Sequence, residues 1–499
     1  MPTLRGRPDL WSRLRWNAAS GVLRFTMLGL VYFFTYPYMF EKLGAERFGM
    51  WSLALIVSQS LTASDLGISG ALMRFVPEQL SVGNTARISE LANTGLFLLA
   101  GLGGGLALGT VALSSWVVRA LRIPAPLQEE MRLLVVGMAA VFVLNLMALG
   151  LSAVLNGLQR MDASNLVYTG AALFGAAGTV VVLRLGWGLA GLVLNAAFMG
   201  LLWAGGSFLL LRRFLPGFRP GLSSVRRSDA AALLRYGLPI QIAGAGGLAT
   251  IPAMKVLLSR YVSLSSVSFF ELASGITLQL RSCFLMIAMP LTSASAQLNA
   301  EGRAVSLAQL YRRSLRYLFL VAFPVFVLGA IFAPGFTTFW LRGSKPFVAT
   351  TLSLLAVGWF LNTLSLPAYF LLQGQGLARY QAYFATLQVA ASVLLGYFLV
   401  LGWGYYGAVV GMVAGLSIAA LYLMWQYRRL FPPVSVTLWD SSLVLALVLN
   451  GAMLAIFFFL RPEWRHVSSF PVLVMLGAAF LLLYLSLLYV TGAFPEAEG

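Results

Sequence analysis

Residues 48–84, FGMWSLALIVSQSLTASDLGISGALMRFVPEQLSVGN, begin with a long apolar run and end in a polar segment. A helix that spans a bilayer needs about 20 predominantly apolar residues, and the run that starts at Phe48 supplies them. The same stretch also contains Asp65 and Arg74. Ionisable side chains are rare and costly at bilayer depth. The role of Asp65 and Arg74 therefore depends on whether this chain is a membrane protein.

The composition of the chain is that of a membrane protein. Hydrophobic residues make up 59% of its 499 residues, charged residues make up 10%, and the mean hydropathy is +0.85. A soluble domain has about 25% charged residues. A net charge of +18 would indicate nucleic-acid binding in a soluble chain, but cytoplasmic loops of membrane proteins are enriched in Lys and Arg. We therefore expect an all-α polytopic protein of the lipid bilayer, with no nucleic-acid partner.

Cysteine and histidine are nearly absent, which limits the available chemistry. Cys283 is the single cysteine and His466 is the single histidine, so neither an intramolecular disulfide nor a zinc site is expected. We expect no metal and no cofactor. The apolar stretch near residues 17–40 is too long for the h-region of a signal peptide, which predicts an uncleaved first span.

Fourteen stretches are long and apolar enough to be membrane spans. They lie near residues 17–40, 48–75, 91–118, 133–157, 164–184, 188–211, 236–258, 266–297, 317–341, 347–373, 380–401, 404–427, 440–460 and 470–491. With the N-terminus inside, the predicted cytoplasmic segments hold 20 of the 34 basic residues, and the opposite side holds 11. Since cytoplasmic loops are enriched in basic residues, both termini are predicted to be cytoplasmic.

The chain also aligns with itself at an offset of about 218 residues. LNGLQR at 155 resembles LQGQGLAR at 372, LGWGLAG at 185 matches LGWGYYG at 401, and LRWNAASGVL at 14 matches LRYGLPIQIAG at 234. Repeats that contain an even number of spans insert in the same direction. The repeat therefore predicts two parallel six-helix lobes related by a pseudo-two-fold axis, an arrangement typical of transporters with a central substrate path.

These patterns give the predicted domain organisation. The units are an N-lobe at residues 1–216, a cytoplasmic inter-lobe linker at 217–235, a C-lobe at 236–432, and two further spans with the C-terminal tail at 433–499.

Two motifs identify a family. LGAERFGMWSLALIV at 43–57 and SDLGISGALMRFVPEQLSVGN at 64–84 resemble the bacterial polysaccharide transporter (O-antigen-type flippase) family, within the multidrug/oligosaccharidyl-lipid/polysaccharide exporter superfamily. The resemblance implies transport by alternating access across the bacterial inner membrane. The implied substrate is a polyprenyl-pyrophosphate-linked oligosaccharide, moved from the cytoplasmic to the outer leaflet for surface polysaccharide synthesis. A polysaccharide polymerase and chain-length machinery are implied as partners.

Five ionisable side chains lie within the predicted spans and are candidates for the substrate path: Arg24, Asp65, Lys255, Glu271 and Arg281. None of them has an ionisable residue at the equivalent position of the other lobe, which favours a functional role over a scaffold role. Three are basic and two are acidic, so their sum is +1. Arginines suit a pyrophosphate, because a guanidinium binds phosphate oxygens bidentately.

Helical spacing predicts partners for these charges. Ser58, Thr62, Asp65 and Ser69 would share one face of the second span, and Ser20 and Arg24 one face of the first. Since the two spans are antiparallel, we hypothesise that Arg24 and Asp65 pair at the cytoplasmic mouth.

For Lys255 and Glu271 a structural role is the simpler interpretation, whereas for Arg281 a structural and a functional role are equally open. In a structural role, Arg281 would pair with Glu271 or with a backbone carbonyl. Lys255 and Glu271 lie near the outer ends of their predicted spans and are expected to reach water by snorkelling. Prolines in the first span of each lobe, Pro37, Pro239 and Pro252, are hinge candidates.

Alternative functions remain open at this stage. A peptidoglycan-precursor flippase and a cation-coupled drug antiporter share the expected fold, although a drug pore would be expected to contain more acidic side chains. No loop exceeds about 25 residues, so a membrane enzyme with a catalytic loop is not expected. The glycan and the coupling ion, H+ or Na+, are not specified by the sequence.

Overall fold

A computed structural model describes residues 10–62, 65–221, 224–431, 448, 451–452 and 470–490. Every regular element in this part of the chain is helical, which confirms the predicted all-α class. The predicted thirteenth span at 440–460 lies outside the described residues, apart from 448 and 451–452.

The described residues form fifteen α-helices and one short 3₁₀ turn, Ala125–Leu127. In chain order the helices are α1 (Leu10–Thr62), α2 (Ile68–Ser81), α3 (Thr85–Ala120), α4 (Gln128–Gly157), α5 (Met161–Arg184), α6 (Gly188–Phe214), α7 (Arg227–Leu248), α8 (Thr250–Tyr261), α9 (Leu264–Ala288), α10 (Leu291–Ala300), α11 (Ala304–Trp340), α12 (Pro346–Leu364), α13 (Leu366–Gly374), α14 (Arg379–Leu430) and α15 (Phe470–Val490).

Nine helical stretches among the described residues are long and apolar enough to cross a membrane, which supports a multi-pass protein. Two of the α-helices, α1 and α14, contain an internal break. α1 is interrupted at Gly44 (φ 76°) and α14 at Gly404 (φ 55°). A straight helix as long as α14 would extend about 78 Å, far more than the ~30 Å hydrocarbon core. Gly44 lies between two predicted spans and Gly404 is the first residue of one, and the positive φ of each ends one helix and begins the next.

Four predicted spans are not single helices, and the prediction of unbroken helices there is wrong. The breaks lie at Asp65–Gly67 in span 48–75, at Ala249 in span 236–258, at Met289–Pro290 in span 266–297 and at Ser365 in span 347–373. Leu66 and Gly67 both have positive φ, of 53° and 72°, which no α-helix accommodates. Pro290 and Pro367 lack the backbone donor that would continue the preceding helix.

The chain divides into two compact units, Met1–Ala245 and Gly246–Gly499. In the first unit, α4 packs against α1, α2, α3 and α6 around a core that includes Phe142 and Leu146. In the second, α12 packs against α9, α11 and α14. α15, the predicted fourteenth span, packs on α11, where the Tyr484 hydroxyl donates to the Leu320 carbonyl (3.1 Å).

The repeat has local structural counterparts within each unit. Gly157 packs against Val76 of α2, and its repeat equivalent Gly374 packs against Ser295 of α10, where an added Cβ would meet the side chain at 2.7 Å in both cases. Gly188 and its equivalent Gly404 both adopt positive φ, at 54° and 55°. The repeated sequence therefore produces the same turns and the same close helix approach twice.

The start of α7 is held on α3 by charged side chains. Arg87 donates to both carboxylate oxygens of Asp229 (2.5 and 2.9 Å) and also to Glu90 (2.8 Å). Glu90 in turn accepts from Arg226 (2.5 Å), so the network contains two basic and two acidic side chains. Asn93 adds hydrogen bonds to the Arg219 carbonyl and to Ser224.

Candidate functional site

The first candidate site surrounds Arg24 in the Met1–Ala245 unit. Arg24 Nη1 donates to Asn165 Oδ1 (3.1 Å), and Asn165 Nδ2 donates to Ser20 Oγ (3.0 Å). The guanidinium carbon lies 4.1 Å from the centre of the Tyr168 ring. Ser20 and Arg24 are one helical turn apart on α1, and Asn165 and Tyr168 are one turn apart on α5, so each pair faces the same way.

Neighbouring side chains hold the Tyr168 ring on which the Arg24 guanidinium lies. Tyr168 meets Trp203 edge to face, with ring centres 4.7 Å apart. Trp203 Nε1 donates to Ser152 Oγ (3.0 Å), and Trp203 is almost completely buried. Since both aromatic rings are held by neighbours, the guanidinium lies on a rigid surface.

The second candidate site surrounds Arg281 in the Gly246–Gly499 unit. Arg281 Nε donates to Asn362 Oδ1 (3.0 Å), and the guanidinium carbon lies 4.9 Å from the centre of the Trp359 ring. Of the two structural partners considered for Arg281, the pair with Glu271 is therefore wrong, and the observed bond is to a side-chain oxygen and not to a backbone carbonyl. Trp359 and Asn362 are one turn apart on α12, just as Asn165 and Tyr168 are on α5.

A buried relay of side chains orients Asn362. Its Nδ2 donates to Gln388 Oε1 (3.0 Å), and Gln388 Nε2 donates to Thr250 Oγ1 (3.0 Å). Asn362, Gln388 and Thr250 are all buried. Because each amide donates its N–H to the next residue, the carbonyl oxygen of Asn362 is left to face Arg281.

Both arginines are half-buried, and neither forms an ion pair with a carboxylate among the described residues. A guanidinium has five N–H donors, and in each case one of them is used by an asparagine. The other donors form no further hydrogen bond to the described residues, so they and the positive charge can bind an anion.

Lys255 and Glu271 form a buried ion pair instead of reaching water. Lys255 Nζ lies 2.5 Å from Glu271 Oε2, and the two residues are only 4% and 8% exposed. The snorkelling prediction is wrong because α8 and α9 pack against each other and turn both side chains inward. Glu271 therefore carries no uncompensated negative charge.

Asp65 caps a helix and does not pair with Arg24. Its Oδ1 accepts from the Gly67 amide (2.9 Å) and its Oδ2 from the Ser69 amide (3.2 Å). Ser69 contributes one of the first amide groups of α2, which have no partner within the helix, and Gly67 is the residue just before the helix. The hypothesis of an Arg24–Asp65 pair is wrong, because α1 ends before Asp65 and the polar residues do not share one continuous helical face.

The other predicted site residues occupy varied positions. Ser58 accepts a hydrogen bond from Asn145 (3.4 Å), and Ser69 contributes its backbone amide to Asp65. Pro37 lies inside α1, and Pro252 lies in the first turn of α8, where a proline fits without breaking a hydrogen bond. The side chains of Thr62 and Pro239 lie outside the described part of the chain.

Sequence reasoning missed the amides and aromatics that position the arginines: Asn165, Tyr168, Trp359, Asn362 and Gln388. The sequence contains a pattern that could have identified these residues. Asn and Gln are uncommon inside apolar spans, and both asparagines have an aromatic residue three positions away. Among the described residues, no group of three His, Cys, Asp or Glu side chains is placed to hold a metal ion.

Solved structures of low sequence identity share this fold. One is the lipid II flippase MurJ in an inward closed conformation (TM-score 0.73, 11% identity, 95% of this chain and 99% of that chain). Another is an inward-facing multidrug resistance MATE family transporter of the MOP superfamily (TM-score 0.70, 17% identity, 82% of this chain and 95% of that chain). A third is a point mutant of the Vibrio cholerae MATE transporter VcmN (TM-score 0.59, 14% identity, covering 85% and 98%).

Sequence comparisons agree with the family resemblance. A Shigella flexneri protein provisionally named an O-antigen transporter is 25% identical over 119 residues. That match covers 24% of this chain and only 28% of the length of that relative. The pattern of the family described as polysaccharide biosynthesis protein matches residues 19–296, which is more than half of the chain. The chain therefore belongs to the polysaccharide biosynthesis protein family, which confirms the resemblance of its motifs.

Proposed function

We propose that this protein is a flippase that moves a polyprenyl-pyrophosphate-linked oligosaccharide from the cytoplasmic to the periplasmic leaflet by alternating access. The observation that carries the proposal is the pair of sites around Arg24 and Arg281. Each presents a guanidinium that has no carboxylate partner among the described residues and is fixed by an asparagine and by an aromatic ring. A pyrophosphate offers the oxygen acceptors and the negative charge that such groups bind.

The acidic side chains support an anionic substrate rather than a cationic drug. Glu271 is neutralised by Lys255, and both oxygens of Asp65 accept backbone hydrogen bonds. A pore for cationic drugs would need an acidic side chain that is open to the substrate. We also propose that the protein is not an enzyme, since the charged groups at span depth are arranged as binding groups and helix caps.

The proposed topology has fourteen spans, two parallel six-helix lobes and cytoplasmic termini, in the inner membrane. Its support is the excess of basic residues in one set of loops, together with the matching turns at Gly188 and Gly404. A polysaccharide polymerase and chain-length machinery would consume the flipped product. The coupling ion, if one is used, would be H+ or Na+.

Reconstitution into liposomes tests the function. A fluorescent polyprenyl-pyrophosphate oligosaccharide should become accessible to a membrane-impermeant quencher faster in vesicles with the protein than in empty vesicles. Arg24→Gln and Arg281→Gln should each weaken substrate binding about 10- to 100-fold, the loss of a charge-assisted hydrogen bond. Arg119→Gln is the matched control, because Arg119 is exposed and, among the described residues, its side chain donates only to the Ser115 carbonyl of its own helix.

Two results would overturn the proposal. One is wild-type substrate binding by both arginine variants. The other is a deletion strain in which lipid-linked repeat units reach the periplasm at the normal rate, instead of accumulating on the cytoplasmic face.

A further inference from the structure

A cleft of about 610 Å³ lies in the Met1–Ala245 unit, and no residue of the two arginine sites lines it. It is formed where α1 breaks near Gly44, where α4 begins, and where α5 ends and α6 begins. Three charged side chains line it, Lys42, Arg47 and Glu130, and most of the remaining lining residues are apolar. This combination of a charged rim and an apolar wall suits an amphiphile.

The rim has one excess positive charge. Arg47 Nε lies 3.3 Å from Glu130 Oε2, so these two charges compensate each other. Lys42 is exposed and forms no ion pair among the described residues; its ammonium lies 5.9 Å from the centre of the Tyr38 ring. The cleft is therefore electrostatically suited to an anion and not to a neutral or cationic headgroup.

The apolar wall opens outward along the helices. Leu133 of α4 and Leu194 of α6 line the cleft and are 64% and 61% exposed. Both helices are apolar enough to span a membrane, so these exposed side chains can contact lipid. Trp187 stands between Gly186 and Gly188, which both have positive φ, and is also exposed. Tryptophan prefers the boundary between lipid and water, so the cleft lies at headgroup depth.

We propose that this cleft binds an anionic phospholipid. The headgroup phosphate lies on Lys42 and Arg47, and an acyl chain lies along the wall of Leu133 and Leu194. A free phosphate would leave this wall exposed, and a zwitterionic lipid would not compensate the charge of Lys42. In the proposed topology the ligand comes from the outer leaflet.

Native mass spectrometry of the purified full chain tests the proposal, with phosphatidylglycerol and phosphatidylethanolamine as probes. Phosphatidylglycerol should bind more tightly. Lys42→Gln should weaken its binding about fivefold, as expected for one basic residue near a lipid headgroup. Glu130→Gln should strengthen binding, because it removes a negative charge and releases Arg47. Arg132→Gln is the matched control, since Arg132 is half exposed, pairs with Glu129 and does not line the cleft.

Fluorescence gives a second measurement that does not depend on charge. Brominated phosphatidylglycerol should quench wild type more than Trp187→Phe, because Trp187 borders the acyl-chain wall. Three results would overturn the proposal: unchanged affinity in both Lys42→Gln and Glu130→Gln, equal binding of the two lipids, or displacement of the lipid by inorganic phosphate. None of these measurements requires transport, so their failure is distinct from failure of the proposed flippase function.

Discussion

The backbone of Gly67 lies directly against the backbone of Gly237, and the contact leaves no room for a side chain on either residue. A Cβ on Gly237 would come within 2.5 Å of the Leu66 carbonyl oxygen. Gly67 is also the residue whose positive φ ends the turn after Asp65. Gly67, in the middle of the 48–84 stretch, therefore interrupts the helix, and its lack of a side chain allows α7 to approach closely.

We expect Gly237→Ala to lower the free energy of unfolding by about 1–3 kcal/mol, because it forces atoms into a filled contact. The thermal midpoint in detergent measures this. Gly70→Ala is the control, since a Cβ there meets open space and alanine favours a helix by up to about 1 kcal/mol. A Gly237→Ala protein that melts like wild type would contradict the close backbone contact.

Asp65 variants separate a capping role from a proton-coupling role. Asp65→Ala should cost about 1 kcal/mol, the usual loss for a removed helix cap. Asp65→Asn keeps one acceptor oxygen for the Gly67 amide, so its stability should be intermediate and its transport should follow the amount of folded protein. If Asp65→Asn folds normally but does not transport, the carboxylate itself carries a function beyond the cap.

The fold class followed from composition and span length, because burial in lipid requires apolar helices. Helix breaks were harder to predict. The break at Asp65–Gly67 lies against Gly237, which is 170 positions away in the sequence, and no local pattern specifies that contact. The breaks at Gly44 and Gly404 could be predicted, since each lies at the junction of two apolar stretches.

The candidate site was predicted only in part. Ionisable residues within spans identified Arg24 and Arg281, but helical spacing gave the wrong partners. Spacing relates residues on one helix, whereas Arg24 is held by α5 and Arg281 by α12. Lys255 and Glu271 were likewise treated separately, although the packing of α8 on α9 joins them.

Removal of one partner of the Lys255–Glu271 pair should be strongly destabilising. Lys255→Met or Glu271→Gln leaves a buried group without its partner, at a cost of about 3–5 kcal/mol. The double variant Lys255→Met/Glu271→Met should recover most of the loss, because an apolar pair needs no compensation. Thermal midpoints in detergent measure all three.

A surface ion pair provides the control for these variants. Glu78→Gln breaks the pair with Arg74, in which both side chains are 52% exposed, and should leave the thermal midpoint close to that of wild type. If the two single variants of the buried pair melt like Glu78→Gln, the pair is not buried in the protein. If the double variant is stable but does not transport, the Lys255–Glu271 pair has a role in coupling transport to an ion.

The charged network at the start of α7 should control local opening of that helix. Asp229 is buried and accepts two hydrogen bonds from Arg87, so Asp229→Asn should weaken the anchor by about 1–3 kcal/mol. Hydrogen exchange of residues 227–235 should become faster while exchange in α4 stays unchanged. Glu301→Gln, which breaks the exposed pair with Arg303, should leave both regions unchanged. Wild-type exchange at residues 227–235 in Asp229→Asn would mean that the Arg87–Asp229 contact does not anchor α7.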